Sequence, residues 1–333
     1  MPTFSIIIPV YNRPQEMAEL LESLAKQTLL DFEVIIVEDG STQKSKDLAN
    51  KYTNIFSVTY HFKSNTGQSD SRNIGAKMAK GEYLVFFDSD CIIPENYFQT
   101  VKDELNKRNI DCWGGPDAAH ESFTDIQKAI NHSMTSFFTT GGIRGGKKPV
   151  EKFCPRSFNM GIAKYAFNKV NGFRDTLGED IDISLRLREA GFNTNLIHKA
   201  FVYHKRRVDI KKFFKQVHIF GQARIALYKQ HPGSLKLVHF APALFTLFLI
   251  CMLILSVKYP WVLILLAAYL ITLFADSSYK NKSIKIGLIS VLTGLIQLVG
   301  YGTGFIKAFW NKIILGKPLD TRKKIKNMYN KEN

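Results

Sequence analysis

The first 87 residues alternate between short apolar runs and segments with helical periodicity. Strands are predicted at positions 4–10, 32–37, 57–61 and 83–87, and the first of them is an apolar run rich in Ile, typical of a buried strand. Helices are predicted between these runs, at 14–27, 41–52 and 68–79. Strands that alternate with helices predict an α/β fold, with a parallel sheet and helices on both of its faces.

The last third of the chain has a different pattern, because long runs lack Asp, Glu, Lys and Arg altogether. These runs are Leu237–Val257, Tyr259–Ala275 and Ile286–Ile306. A membrane-spanning helix needs roughly 20 apolar residues, so residues 236–310 are predicted to form membrane-associated helices. The first two runs fit a helical hairpin, whereas the glycine-rich third run is a weaker candidate for a full span.

The charge is as unevenly distributed as the apolar residues. Residues 1–204 carry 24 basic and 25 acidic side chains, whereas residues 205–333 carry 21 basic and 4 acidic ones. A basic segment indicates either nucleic acid or an anionic membrane surface as the partner. Because these cations flank runs of lipid-crossing length, anionic membrane lipids are the predicted partner, and nucleic acid is not.

The placement of the cations also predicts a topology. The N-terminus lacks the basic segment and long apolar run of a secretory signal, so the first part is expected in the cytosol. Two spans would return the chain to the cytosol at Lys280, and a third would export the basic tail, against the preference of cations for that side. We therefore expect two spans and a third segment that is re-entrant or interfacial.

These patterns predict three parts of the chain. Residues 1–235 form an α/β domain that includes a basic interfacial helix near 208–230, where lysines alternate with Phe213, Phe214 and Val217. Residues 236–310 form the membrane-associated helices. Residues 311–333 form a basic cytosolic tail.

Polar side chains follow three of the predicted strands. Asn12 and Arg13 come after the first strand, Asp39 ends the second, and Asp88 and Asp90 follow the fourth. Ligands of parallel sheets bind beyond the carboxyl ends of the strands, so these residues are candidate site residues. Turn and helix-cap roles explain a lone Asn or Ser at such ends. Two carboxylates one residue apart repel each other without a cation, and they suit Mg²⁺ or Mn²⁺.

The order and spacing of these motifs resemble those of family 2 glycosyltransferases of the GT-A fold, of the bacterial membrane-associated type, over most of residues 1–230. The resemblance implies a mixed, mainly parallel sheet with helices on both faces, followed here by C-terminal membrane helices. The motifs that carry the resemblance are Pro9-Val10-Tyr11-Asn12, Glu38-Asp39-Gly40-Ser41, Asn65-Thr66-Gly67, Arg72-Asn73 and Asp88-Ser89-Asp90. Glu38 is a mild departure, since that position is more often Asp in the family.

The resemblance implies roles for these residues. Asp39 would contact the nucleotide base, and the pair Asp88 and Asp90 would contact the ribose and the metal-bound diphosphate. Asp90 would be a metal ligand, with Asp88 a possible second one. The other residues expected to bind the nucleotide sugar are Pro9, Tyr11, Asn12, Arg13, Glu38, Arg72 and Ser89. For Arg72, a nucleotide role and a simple cation on a helix surface both stay open.

The second half of the domain extends the resemblance. Residues expected at the sugar and acceptor pocket are Trp113, Gly115, Asn159 and Glu179. Asp180, in the motif Gly178-Glu179-Asp180, would be the general base. His204, after a further strand, would complete the metal site, although a lone His is more often structural.

The function implied by the resemblance is an inverting, metal-dependent glycosyltransferase. It would move a sugar from a nucleotide-diphosphate sugar, with a UDP-sugar expected, to a hydroxyl of a lipid-linked or polysaccharide acceptor. The expected location is the inner membrane, with the catalytic domain on the cytosolic side. A polyprenyl-phosphate sugar synthase is the alternative. A non-enzymatic membrane adaptor is disfavoured, because Asp39, Asp88, Asp90 and Asp180 are all present.

Overall fold

The computed structural model describes residues 1–141, 153–206 and 208–319. The chain divides into two compact units, which are described separately. The first unit comprises the described residues of 1–120 and 152–205, and the second comprises those of 121–151 and 206–333.

The first unit is an α/β domain built on two sheets. Its strands are β1 (Phe4–Val10), β2 (Phe32–Asp39), β3 (Ser57–Lys63), β4 (Tyr83–Phe87), β5 (Cys91–Ile92), β6 (Cys112–Gly114), β7 (Asp117–Ala118), β8 (Asn159–Ala163), β9 (Thr194–Leu196) and β10 (Val202–His204). Its helices are α1 (Pro14–Ala25), α2 (Lys46–Asn50), α3 (Gln68–Met78), α4 (Tyr97–Lys107), α7 (Lys164–Lys169) and α8 (Glu179–Glu189), numbered in chain order with those of the second unit.

The larger sheet has the strand order β3-β2-β1-β4-β8-β6-β9. Strands β1 to β4 run parallel, and β8 is antiparallel to both of its neighbours. Every residue of β2 is buried, which explains the unbroken apolar run Val34–Val37 at its centre. The predicted mixed, mainly parallel sheet is therefore confirmed.

The smaller sheet has the order β5-β10-β7, and its role is to bring distant chain segments to one place. Strand β5 directly follows the Asp88-Ser89-Asp90 segment, and it pairs with β10 so that Cys91 lies opposite His204. The pairing thus delivers His204 to the end of β4.

The second unit is helical. Its helices are α5 (Asp125–Thr135), α6 (Phe137–Thr140), α9 (Ile210–Gln230), α10 (Ala241–Ser256), α11 (Leu263–Asn281) and α12 (Ile284–Phe309). Helix α12 packs against α5, α9, α10 and α11. Its approach to α9 is close, because a Cβ at Gly304 would lie 2.0 Å from the backbone oxygen of His218.

Three helical segments among the described residues are long and apolar enough to cross a membrane. They are Leu237–Ser256, Pro260–Asn281 and Ile284–Ile314. The third is a continuous helix with no internal turn. Its twelve buried residues, which include Gly287, Gly294 and Gly300, account for the glycine content that weakened its sequence signal. The expectation of two spans and a re-entrant or interfacial third segment stays a prediction.

Two predicted boundaries differ from the observed ones. The helix expected at 41–52 is confined to α2, because residues 41–45 form the loop that closes around Glu38. The basic helix expected near 208–230 is α9, and it groups with the apolar helices of the second unit rather than with the sheets. Most of the predicted tail, from residue 320 onward, lies outside the described residues.

Candidate active site

Asn12 connects the loop after β1 to the loop after β2 through hydrogen bonds. Its backbone N–H donates to Ser41 Oγ at 2.8 Å, and its side-chain Oδ1 accepts from the backbone N–H groups of Thr42 and Gln43 at 2.8 and 3.1 Å. Asn12 has a φ of +52°, a conformation that Asn tolerates better than most residues. The side chain of Asn12 therefore shapes the edge of the site through loop contacts.

The carboxylate of Glu38 is turned into the protein. The residue is fully buried, and it accepts hydrogen bonds from the backbone N–H of Ser45 at 2.8 Å, from the Tyr60 hydroxyl at 3.2 Å and from Ser41 Oγ. The structure therefore does not place Glu38 among the groups open to a ligand, and its observed contacts hold the loop between β2 and α2.

Asp39, the next residue, organises the entry to α3. Its two carboxylate oxygens accept from the backbone N–H groups of Thr66 and Gly67 at 2.9 and 3.0 Å, and Lys63 pairs with one of them. Gly67 has a φ of +105°, which favours glycine at this turn. Asp39 thus joins the end of β2 to the Asn65-Thr66-Gly67 motif.

Arg72 on α3 is a fully buried cation between two carboxylates. Its Nη2 lies 2.6 Å from Oδ1 of Asp88, and its Nη1 lies 3.2 Å from Oε1 of Glu179. Burial alone would lower the pKa of the guanidinium, but Asp88 and Glu179 raise it above its usual value. Arg72 is therefore not a helix-surface cation; it connects the segment after β4 to the start of α8.

Asp90 is the centre of the best-defined cluster in the first unit. Its Oδ2 pairs with Nη1 of Arg13, and its Oδ1 lies 3.2 Å from Nε2 of His204. Burial raises the pKa of Asp90, but His204 and Arg13 outweigh it and hold the pKa well below its usual range. Phe158 stacks on the His204 ring at a centroid distance of 4.3 Å, which fixes the plane of the imidazole.

The donor atoms of this cluster fit a divalent cation. Asp90 Oδ1 is buried, and no described residue donates a well-formed hydrogen bond to it. Two ligands about 2.1 Å from one octahedral ion are about 3.0 Å apart, close to the observed separation of Oδ1 and Nε2. Cys91 Sγ belongs to the same group of donor atoms, which all lie within 4.8 Å of one another. The sequence did not identify Cys91, which only the pairing of β5 with β10 brings here.

Asp180 lies in the first turn of α8, next to Glu179. Its Oδ2 is 3.6 Å from Nη1 of Arg156, and its Oδ1 accepts from the backbone N–H of Ile181 at 2.8 Å. The side chain is partly exposed, as a group that meets a substrate must be. Sequence reasoning missed Arg156; the only available signal was its position directly before Ser157-Phe158-Asn159.

Three residues expected at the sugar pocket lie inside the protein. Trp113 is fully buried against Phe4 and Tyr83. Asn159 is also fully buried; it accepts from the Tyr97 hydroxyl at 2.6 Å and donates to the backbone oxygen of Ala200 at 2.8 Å.

Gly115 is packed just as closely, because a Cβ there would lie 1.7 Å from the backbone oxygen of Ala200. The structure therefore assigns Trp113, Gly115 and Asn159 to packing beneath the site, and it does not place them on an open pocket wall.

The remaining predicted residues vary in exposure. The Tyr11 side chain is 46% exposed beyond the end of β1, Pro9 is half-buried within that strand, and Ser89 is buried between Asp88 and Asp90. The site that the structure assembles therefore consists of Arg13, Asp90 and His204 on one side, and of Arg72, Asp88, Glu179 and Asp180 on the other.

Comparison with known proteins identifies the class. The family model described as glycosyl transferase family 2 matches residues 5–168. An uncharacterized glycosyltransferase of Haemophilus influenzae is 32% identical over 219 residues, which cover 62% of this chain and 70% of that protein. TarS of Staphylococcus aureus, a poly(ribitol-phosphate) beta-N-acetylglucosaminyltransferase, is 38% identical over 191 residues, which cover 55% of this chain and 29% of that protein.

Among solved structures, the mannosyltransferase PcManGT of Pyrobaculum calidifontis, in complex with GDP-Man and Mn²⁺, superimposes with a TM-score of 0.59. The match covers 93% of this chain and 88% of that chain at 16% sequence identity, so it supports the fold alone. The fold and the sequence relatives together define a glycosyltransferase of the GT-A type.

The chain belongs to glycosyl transferase family 2. It covers less than two thirds of several relatives, such as one third of EpsJ of Bacillus subtilis. The details of donor, acceptor and mechanism therefore belong to the proposal that follows.

Proposed function

We propose that the protein is an inverting, metal-dependent glycosyltransferase that acts at a membrane. It takes a sugar from a nucleotide-diphosphate sugar and transfers it to a hydroxyl of a lipid-linked or polysaccharide acceptor. The observation that carries the proposal is the convergence of Asp90 and His204, 3.2 Å apart, beside the pair that the buried Arg72 forms with Asp88.

Asp90 and His204 would hold the divalent ion, Mg²⁺ or Mn²⁺. When bound, such an ion neutralises the charge that develops on the departing nucleoside diphosphate. Arg13, which reaches Asp90 from the loop after β1, contributes a fixed positive charge at the same place. Arg72 keeps Asp88 oriented at the end of β4, where the nucleotide is expected.

Asp180 would act as the general base. Its partly exposed carboxylate would take the proton from the acceptor hydroxyl while the hydroxyl oxygen attacks the anomeric carbon. The bond between that carbon and the diphosphate oxygen breaks in the same step, so the configuration inverts. Nη1 of Arg156 lies 3.6 Å from Oδ2 of Asp180 and places a positive charge beside this carboxylate.

The apolar helices support a membrane location, and the homology to TarS supports an acceptor of the surface-polymer type. We propose that the catalytic unit lies on the cytosolic side of the inner membrane and that anionic lipids contact the basic residues near the helix ends. A UDP-sugar is the donor we favour.

A nucleotide-release assay tests this proposal. The full chain would be incubated with UDP-, GDP- and dTDP-sugars and membrane extract, with Asp180→Asn as the inactive control. We expect release with one donor class that depends on Mn²⁺ or Mg²⁺ and on the extract. Release that is unaffected by EDTA, or that equals that of Asp180→Asn, would contradict the proposal. A product in which polyprenyl phosphate carries a single sugar would assign the polyprenyl-phosphate synthase reaction instead.

A further inference from the structure

Helix α5 and the short α6 form an element that belongs to the helical unit. In sequence this segment, residues 125–141, lies between strands β7 and β8 of the first unit, and its pattern gave no membrane signal. In the structure it packs against α11 and α12, two of the helices long enough to cross a membrane. We call residues 125–141 the dipping element.

The dipping element runs parallel to α12. Lys285 Nζ pairs with Asp125 Oδ2 at 2.8 Å near the start of both helices, and Thr293 Oγ1 lies 2.6 Å from Ser133 Oγ. The two contacts are eight residues apart on each helix, from Asp125 to Ser133 and from Lys285 to Thr293. The two helices therefore run side by side in the same direction. The element therefore enters the helical unit in the same direction as α12.

Its contacts with α11 run the opposite way. His132 Nε2 lies 2.7 Å from Asp276 Oδ2, near the end of α11, and the Tyr269 hydroxyl donates to the backbone oxygen of Phe138 at 3.0 Å. From His132 to Phe138 the dipping element goes forward by six residues, whereas the contacted residue on α11 changes from Asp276 to Tyr269, seven residues earlier in the chain. The element is therefore antiparallel to α11. The pairings with both helices thus give the same direction of entry.

The depth of the element follows from these pairings. Tyr269 precedes Asp276 by seven residues, which is about 10 Å along a helix, and it lies near the middle of the candidate span Pro260–Asn281. The hydrocarbon layer of a bilayer is about 30 Å thick. If α11 crosses a bilayer, Phe138 therefore lies well inside the hydrocarbon rather than at the surface.

The end of the element has the properties that such a location requires. The side chains of Phe137 and Phe138 are 62% and 44% exposed. The backbone carbonyls at the end of α5 are satisfied internally, because Thr139 Oγ1 donates to Ser133 at 2.6 Å and Thr140 Oγ1 donates to Met134 at 3.2 Å. Backbone groups in lipid must find such partners, since no water is present to supply them.

We propose that the dipping element enters the bilayer beside α11 and α12 and that acyl chains of lipid surround Phe137 and Phe138. The proposal rests on the membrane location proposed above. It adds a fourth membrane-contacting segment, drawn from the middle of the predicted catalytic domain, whose described residues reach into the lipid.

Fluorescence quenching in vesicles tests the proposal with the full chain. The probe variant carries Phe137→Cys in a Cys154→Ser, Cys251→Ser background, with Cys91 and Cys112 left in place because they are buried. The native Cys251, exposed on α10, provides the lipid reference in a Cys154→Ser variant. Asn54→Cys, an exposed position of the first unit, provides the aqueous reference in the double-serine background.

Each variant would be labelled with an environment-sensitive fluorophore and reconstituted in phosphatidylcholine–phosphatidylglycerol vesicles. We expect the probe at 137 to behave like that at Cys251, with stronger quenching by a nitroxide on the acyl chain than by one on the headgroup. Phe138→Cys serves as a second reporter with the same expectation, because the backbone oxygen that Tyr269 contacts is retained.

The other outcomes overturn the proposal in distinguishable ways. If the probe at 137 behaves like the probe at position 54 while the probe at Cys251 is quenched from the acyl chain, the dipping element does not enter the bilayer, but the proposed membrane location is retained. If neither 137 nor Cys251 is quenched from the acyl chain, the membrane location itself fails. If 137 is shielded from both nitroxides, protein and not lipid covers the two phenylalanines.

Discussion

Nε2 of His204 lies 3.2 Å from Oδ1 of Asp90, and the pairing of β10 with β5 holds the two side chains together. Asp90 follows a strand of the larger sheet, whereas His204 ends a strand of the smaller one. The proposed metal site therefore depends on both sheets, and perturbation of either should affect metal binding.

Asp180→Asn should abolish transfer while leaving nucleotide binding intact. Loss of a positioned base typically slows a reaction by about 10²- to 10⁴-fold, and Asn cannot accept the proton of the acceptor hydroxyl. The measurement is kcat for sugar transfer together with nucleotide affinity by calorimetry. Asp175→Asn, an exposed carboxylate five residues away, is the matched control and should retain the wild-type rate. Unimpaired turnover by Asp180→Asn would show that Asp180 is not the general base.

Arg72→Met should destabilise the first unit strongly. The substitution leaves Asp88 and Glu179 without the buried cation that they share, and breaking such a pair typically costs about 3–5 kcal/mol. Arg174→Met is the control: Arg174 is exposed, and its partner Asp182 stays paired with Arg186, so we expect a much smaller loss of stability. The measurement is the free energy of unfolding by chemical denaturation. Equal stability of the two variants would show that Arg72 does not act as a buried bridge.

Trp113→Ala should reduce stability by about 3–5 kcal/mol, as expected for a large aromatic side chain removed from a core. The milder Trp113→Phe should fold and should retain the wild-type KM for the donor, because Trp113 packs against Phe4 and Tyr83 beneath the site. Steady-state kinetics over a range of donor concentrations provide the measurement. A raised KM for Trp113→Phe with unchanged stability would contradict this assignment and indicate that Trp113 contacts the donor sugar.

Gly304→Ala should disrupt the packing of α12 on α9, since the added Cβ would lie 2.0 Å from the backbone oxygen of His218. Gly294→Ala is the comparison, because the nearest atom to its Cβ, at 2.9 Å, belongs to the flexible side chain of Leu273. We expect a lower unfolding temperature in detergent micelles for Gly304→Ala than for Gly294→Ala. The reverse order would mean that the close approach of α9 and α12 does not limit the stability of the helical unit.

The sequence pattern was most informative where the neighbours of a residue are local or periodic. The strand predicted at 4–10 coincides with β1 because its apolar run is buried on both faces. The family motifs then located Asp39, Asp88, Asp90 and Asp180, whose spacing relative to strands and helices could be read directly.

The pattern was least informative where pairing between distant segments decides burial. Trp113 and Asn159 lie in motifs that resemble pocket walls, but the insertion of β8 between β4 and β6 buries both. Residues 125–141 lack a long apolar run, and only their pairing with α11 and α12 assigns them to the helical unit. Cys91 and Arg156 were missed for the same reason.

The most direct test of the account is the binding of Mn²⁺ in the presence of UDP or GDP, measured by electron paramagnetic resonance. His204→Ala would be compared with wild type and with His198→Ala, whose side chain is exposed. Even changes beyond the ligands typically weaken metal binding by about 10- to 100-fold, so loss of His204 should weaken it at least that much.

We predict that His198→Ala binds Mn²⁺ like the wild type, that His204→Ala binds it at least about tenfold more weakly, and that Asp90→Asn does the same. Equal Mn²⁺ affinity in wild type, His204→Ala and Asp90→Asn would contradict the metal site on which the proposed transfer reaction depends.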